Sequence, residues 1–285
     1  MRKLVVVILV LTLALTAVIA FAGCNGDTDI PGVKWANKEE LTYVITENGV
    51  VVGTLYVTTE QVPTGEVTLN ATGEKFNISS SASKGTRVSM SIERTVDGQE
   101  IMKSESIMDG FTAVAGYKKK LNGDGTTTEI ISSYDGKRVH YTVNGGEEEK
   151  VKIKNGYIDN GLLYTIVRCY SIENQYSGSY TVLDALTGDK ETISVSTYAE
   201  SNFSKTLNYV DGNGVQGTAT NLKCVSLRFS RNASPSGASI MVTYTVEGDE
   251  GFYVRDAKTN QASSHFPVQI VENNLVYDLI EAKIS

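Results

Sequence analysis

Asn-Gly and Asp-Gly pairs recur along the chain, among them Asn48-Gly49, Asp97-Gly98, Asp109-Gly110, Asn122-Gly123, Asp135-Gly136, Asn144-Gly145 and Asn155-Gly156. From Asp97 onward, these stand 12, 13, 13, 9 and 11 residues apart. These dipeptides tolerate the positive φ values of tight hairpin turns, whose twist matches that of the flanking strands. Strand–turn units at such a spacing suggest an all-β sandwich, barrel or meander. Between the turns the apolar residues alternate. Leu41, Tyr43 and Ile45 face opposite Thr42 and Thr46; Val88, Met90 and Ile92 alternate with Arg87, Ser89, Ser91 and Glu93. Val139, Tyr141 and Val143 repeat the pattern, as do Val151 and Ile153 among lysines. One apolar and one wet face per strand predicts an antiparallel sheet closed over a core on one side.

Strands are also expected at Glu191–Tyr198 and Ala238–Glu247, with a closing hairpin of His265–Val271 and Leu275–Ile284. One stretch breaks the rhythm. From Asp159 to Tyr170 the apolar residues fall at Leu162, Leu163, Ile166, Val167 and Tyr170, which is helical spacing. Asp159 or Asn160 would cap a short amphipathic helix there, laid against the concave face of the sheet. The expected fold is therefore mainly β: a large curved antiparallel sheet or open barrel with one short amphipathic helix. No proline-rich linker divides a chain with four prolines. Residues 38–285 read as a single β domain, and the interruption near 155–178 is the candidate internal boundary.

The N-terminus carries a different message. Arg2 and Lys3 precede an uncharged apolar run from Leu4 to Ala22, the pattern of a secretory signal; a run of this length also suffices to span a bilayer. Its end, Phe21-Ala22-Gly23-Cys24, resembles the lipobox of bacterial lipoproteins, although Phe21 stands where leucine is usual. The resemblance implies cleavage after Gly23, leaving residues 1–23 as signal peptide, and diacylglycerylation of Cys24. Residues 24–37, polar and turn-rich at their start, would then be a lipidated tether. Loss of Arg2 and Lys3 takes the net charge from −7 to −9. Such a surface is not drawn to anionic lipid, so attachment would fall to the acyl chains, each buried CH₂ contributing about 0.8 kcal/mol. The expected location is a cell or outer membrane, with the domain on the periplasmic or extracellular side.

A second resemblance covers most of residues 38–285. Glu40-Leu41-Thr42-Tyr43 followed by Gly53, then Leu163-Tyr164 and Arg168, then Phe266 to Ile270 before Tyr277-Asp278-Leu279, resemble the exported bacterial family called domain of unknown function 3108. That family implies a β-rich fold and no established activity. More loosely, the design is similar to periplasmic lipoprotein carriers, which wrap a curved sheet around an apolar cavity.

The pattern of reactive residues is thin. A pI near 5.1 argues against nucleic acid as a partner. His140 and His265 are the two histidines, too few for a three-histidine zinc site; neither has a nucleophile nearby in sequence, and both read as surface residues. Ser81-Ala82-Ser83-Lys84 has S-x-x-K spacing but lacks the accompanying motifs. Asn122–Gly125 and Asp211–Gly214 read as turns rather than calcium loops, lacking a glutamate at the twelfth loop position. No cofactor and no metal are expected. With Cys24 acylated, Cys169 and Cys224 remain, either as buried thiols or as a disulfide worth about 4 kcal/mol in the chain-entropy model. Leu162, Leu163, Ile166 and Val167 are core residues, or contacts for a hydrophobic ligand if the helix gates a cavity.

The function read from this pattern is non-enzymatic: a membrane-anchored binding module, with a hydrophobic or lipid molecule as candidate ligand. The alternative is a structural lipoprotein of the envelope, with a solid core and a protein partner. An envelope hydrolase ranks last.

Overall fold

The computed structural model describes residues 35–78, 84–153, 158–159, 162–170, 172, 175–184, 189–231, 239–246 and 265–285. The lipobox-like stretch ending at Cys24, the apolar run before it, most of residues 24–37 expected as a tether, and Ser81 to Ser83 lie outside these residues. Among the described residues no helix is long and apolar enough to cross a membrane.

The sequence expectation of a mainly β chain holds. Strand β1 (Lys38–Glu47) turns at Asn48-Gly49 into β2 (Val50–Pro63). Both turn residues have positive φ, 51° and 83°, which the Asn-Gly pair adopts at low cost. Strands β5 (Lys84–Arg94), β6 (Glu100–Asp109), β7 (Thr112–Leu121), β8 (Thr127–Tyr134), β9 (Arg138–Val143) and β10 (Glu149–Lys152) follow as an antiparallel meander beside β2. A separate hairpin of β3 (Gly65–Thr68) and β4 (Lys75–Ile78) folds over the outer face of this meander. Its Val67, Leu69 and Ile78 pack on Ile107 and Tyr117.

On the other side of β1 lies the C-terminal half. Strand β11 (Ile158–Asp159) runs parallel to β12 (Ser177–Asp184), which pairs with β13 (Asp189–Phe203). Beyond β13 come β16 (Leu222–Arg231), β17 (Ser239–Thr245), β18 (Pro267–Glu272) and β19 (Leu275–Ile284), antiparallel in that order. The short hairpin of β14 (Leu207–Val210) and β15 (Gln216–Ala219) attaches to β19 through a parallel pairing of β14. Strand β19 pairs with β1 from Glu47–Leu275 to Glu39–Ile284, so the two halves form one sheet. The sheet curls until β11 lies alongside β7.

The curl buries its inner face in two neighbouring apolar clusters that share Val57 and Met90 at their border. One surrounds the helix α1 (Leu163–Val167). The other fills the end closed by the β14–β15 hairpin, with Leu41, Tyr43, Ile45, Phe203, Leu279 and Ile284. Burying a side chain of this size stabilises the fold by about 1.5–3 kcal/mol.

Two expectations need correction. The helix is a single turn, five residues long, not a span from Asp159 to Tyr170. Asp159 belongs to β11, and Leu162 takes the N-cap position with no side-chain cap. The physical reason is burial on every side: Leu162, Leu163, Ile166, Val167 and Cys169 are all at most 1% exposed. Tertiary packing holds this turn in place of capping and amphipathicity. The second correction concerns His265, which is buried rather than at the surface, its Nδ1 donating to Thr245 O at 2.7 Å.

Candidate functional site

The inner face of the curled sheet becomes charged at two facing lips. In β5, β6 and β7 the cross-strand rows are Val88–Ser106–Gly116, Met90–Ser104–Lys118 and Ile92–Met102–Lys120. Period-two alternation places each row on one face. Val88 is buried in the cluster around α1, and Met90 packs against it. The same alternation therefore carries Lys118 and Lys120 onto the inner face. The facing lip comes from β13, β16, β17 and β18. Ile193 pairs with Arg231, and Phe229 with Ile240, which in turn pairs with Glu272.

Between the lips is a cleft of about 290 Å³. Its apolar wall comprises Met90, Met102, Ile193, Phe229 and Ile240, with Leu163 and Tyr164 of α1 at its base. Among the described residues, its basic ones are Lys103, Lys118, Lys119, Lys120 and Arg231, and Glu272 is its carboxylate. Arg231 Nε also lies 3.5 Å from Glu191. A concave apolar site with a few charged groups at its mouth is the usual form of a small-molecule site, and this volume lies near the lower end of that range.

Of the four helix residues singled out as candidate ligand contacts, Leu163 lines the cleft. Leu162, Ile166 and Val167 are packed into the cluster around the helix and do not line it. Tyr164 was missed in the sequence. Its ring meets Phe229 edge-on at 5.1 Å, and its backbone carbonyl accepts a 3.1 Å hydrogen bond from Tyr244 Oη. Burial pushes the Tyr164 and Tyr244 hydroxyls well above the usual tyrosine range, so both are neutral donors.

What fixes α1 is an ion pair 129 residues apart in sequence. Arg168, at the C-cap, donates from Nη1 to Glu39 Oε2 at 2.8 Å and from Nη2 to Oε1 at 3.2 Å. Its Nε donates to His265 O at 2.7 Å, and its guanidinium stacks 4.8 Å above the Phe266 ring. Both side chains are essentially excluded from solvent. Burial works to lower the Arg168 pKa, but the Glu39 carboxylate outweighs it and raises it. Glu39 shares the face of Leu41, Tyr43 and Ile45 in β1, which explains how a strand carboxylate reaches the interior.

Cys169 and Cys224 are both buried, and neither is in a disulfide. They belong to different clusters. Burial pushes the Cys224 thiol up to about 11, far from a reactive thiolate at neutral pH. His140 sits on the outer face of β9, 3.1 Å from Asp135 and 3.3 Å from Glu148. The loops considered as calcium sites are turns: Asp124 accepts from Thr126 N, and Asp211 from Asn213 N and Val215 N. Among the described residues no group of three or more His, Cys, Asp and Glu side chains could hold a metal.

A smaller polar cavity of about 140 Å³ lies under Lys205. Ser226, Thr243, Gln269 and Asp278 form one cross-strand row from β16 to β19. Gln269 Nε2 donates to Asp278 Oδ1 at 2.7 Å, and Lys205 pairs with the buried Asp278. These groups satisfy one another.

No protein-family model and no curated protein matches the chain. Among solved structures, the chain is similar to a beta-barrel-like protein of domain of unknown function 1849 from Brucella abortus. The identity is 10% and the TM-score 0.43, covering 88% of this chain and 99% of that one.

Proposed function

We propose that the protein is an extracytoplasmic lipoprotein whose β domain is a non-enzymatic binding module for a hydrophobic small molecule, taken up in the cleft between β5–β7 and β13–β18. The observation that carries this reading is the cleft itself: an apolar wall of about 290 Å³ at the base of which Leu163 and Tyr164 stand. The lipobox at Phe21 to Cys24 supports the anchor and export. Likeness to domain of unknown function 3108 and to lipoprotein carriers belongs to this reading and rests on the sequence motifs.

The test uses the full chain in isolated membranes, irradiated with a neutral hexadecanol that carries a diazirine. Cross-links are expected in peptides containing Met102 and Tyr164. Replacing Leu163 with Asp should abolish them, and Met102→Trp, which fills the cleft without burying a charge, should do so in a protein that melts like the parent. Labelling absent from the cleft in the parent protein would overturn the reading in favour of a structural envelope protein.

A further inference from the structure

We infer that the cleft selects an anionic single-chain amphiphile, with Lys118, Lys120 and Arg231 receiving a carboxylate or phosphate headgroup while the chain lies on Leu163, Phe229 and Ile240. This rests on the cleft being a ligand site, and it goes beyond that in naming the ligand class.

The argument starts from a mismatch between strand pattern and residue type. Inner-face positions of β7 should be apolar, as Ala113 is on the same strand. At Lys118 and Lys120 they are cationic, opposite Ser104 and Met102. A lysine head on a cavity wall stays near water and keeps its stem along apolar surface. Both heads therefore gather at the mouth, above the Met90 and Met102 side chains. On the facing lip, Arg231 extends the inner row of Phe229 by one step of alternation. Among the described residues, the inner-face cations of the lining are Lys118, Lys120 and Arg231, with Glu272 as a lining carboxylate and Glu191 beside Arg231, in a protein whose net charge is −7. Cationic and apolar surfaces are thus graded along one cleft, which is the complement of a head and a tail. A bidentate guanidinium and two ammonium groups match the acceptor oxygens of a carboxylate or a phosphate monoester.

The size agrees. About 290 Å³ is small for a two-chain lipid and suited to one chain or part of one. Glu272, on the same side as Ile270 and beside Ile240, sets the polarity of the far lip and disfavours a second anionic head there.

The experiment is competition against the diazirine-hexadecanol label on the full chain in membranes, with four competitors of equal chain length: decanoate, decyl phosphate, decanol and decyltrimethylammonium. At pH 8 and low salt, decanoate or decyl phosphate is expected to displace the label at about tenfold lower concentration than decanol, the gain of a charge-assisted hydrogen bond. The stronger of the two anions identifies the headgroup. Decyltrimethylammonium is expected to be the weakest. In the Lys118→Glu, Lys120→Glu double variant the anion advantage should vanish while decanol competes as before. Equal displacement by all four competitors overturns the anion selectivity and leaves the hydrophobic site standing. Absence of any cleft label overturns both.

Discussion

At the residue scale, the pair formed by Arg168 and Glu39 is the feature on which the interior depends. A bidentate guanidinium–carboxylate contact between two solvent-excluded side chains does not need to be strongly stabilising, since desolvation offsets much of the attraction. Removing one partner is another matter, because it leaves a charge buried without its counterion. Arg168→Met or Glu39→Leu alone should destabilise the protein by about 3–5 kcal/mol, whereas the double replacement should recover much of that loss. Denaturant unfolding of the four proteins, read as a double-mutant cycle, checks this; additive losses would contradict it. Neither residue announces this role in the sequence. Glu39 looks like the outer half of a Glu-Glu pair, and Arg168 lies in a stretch read as an amphipathic helix. Only the fold brings residues 129 apart into contact.

At the scale of elements, the turns were the most legible part and the helix the least. Asn48-Gly49 and Asn144-Gly145 take positive φ at both positions, because their side chains and the lack of one permit it, and strands β1, β2 and β9 follow from them. The C-terminal strand expected over Leu275–Ile284 has those bounds. The stretch from Leu162 to Tyr170 gave helical spacing for a different reason: a short turn immersed in apolar surroundings is apolar on all sides, and a few such residues imitate a stripe. The β3–β4 hairpin escaped notice because its four-residue strands are too short to show alternation. In the cleft, Leu163 was legible, whereas Lys118-Lys119-Lys120 looks like a solvated edge until the register of β7 against β6 assigns alternate lysines to the inner face.

The β8–β9–β10 hairpins carry a pH response of their own. Hydrogen bonds donated by the His140 ring to the Asp135 and Glu148 carboxylates raise its pKa, while backbone donors at Lys137, with His140 and Arg138, hold Asp135 at about 2. The His140 contribution is thus fully present below its ordinary value of 6.5 and is lost as pH rises through its elevated folded value. That of Asp135 is present above its ordinary 3.8 and is lost as pH falls through about 2. Amide exchange in β9 and β10, corrected for intrinsic rates, should therefore show protection falling as pH rises above the ordinary histidine value. In His140→Gln the protection should be lower at pH 6 and nearly flat; an unchanged slope would remove the histidine from the account.

On the scale of the whole molecule, everything converges on the contact between the first and last strands. Strand β1 is hydrogen-bonded along its length to β2 on one side and to β19 on the other. Strand β19 also supports β18 and β14. Deleting Leu275–Ser285 exposes β1, strands both neighbours and opens the cluster containing Leu279, Ala282 and Ile284. The truncated chain is expected to lose cooperative thermal unfolding and become protease-sensitive throughout, not only near its new end. A retained sharp transition would mean that the meander of β5–β10 folds independently. Pairing ends this far apart in sequence also makes folding slow, since loop closure precedes any reward from the contact.

The same contact bears on how the molecule meets mechanical load. Lys38 exchanges both backbone hydrogen bonds with Ser285, at 2.7 and 2.8 Å, where the chain enters the sheet from the direction of Cys24. A tug along β1 from that side is resisted by two ladders in shear, with many bonds loaded together instead of opened in sequence. A domain held by its leading end could therefore be dragged by flow, or by a moving membrane, without being unzipped from the point of attachment.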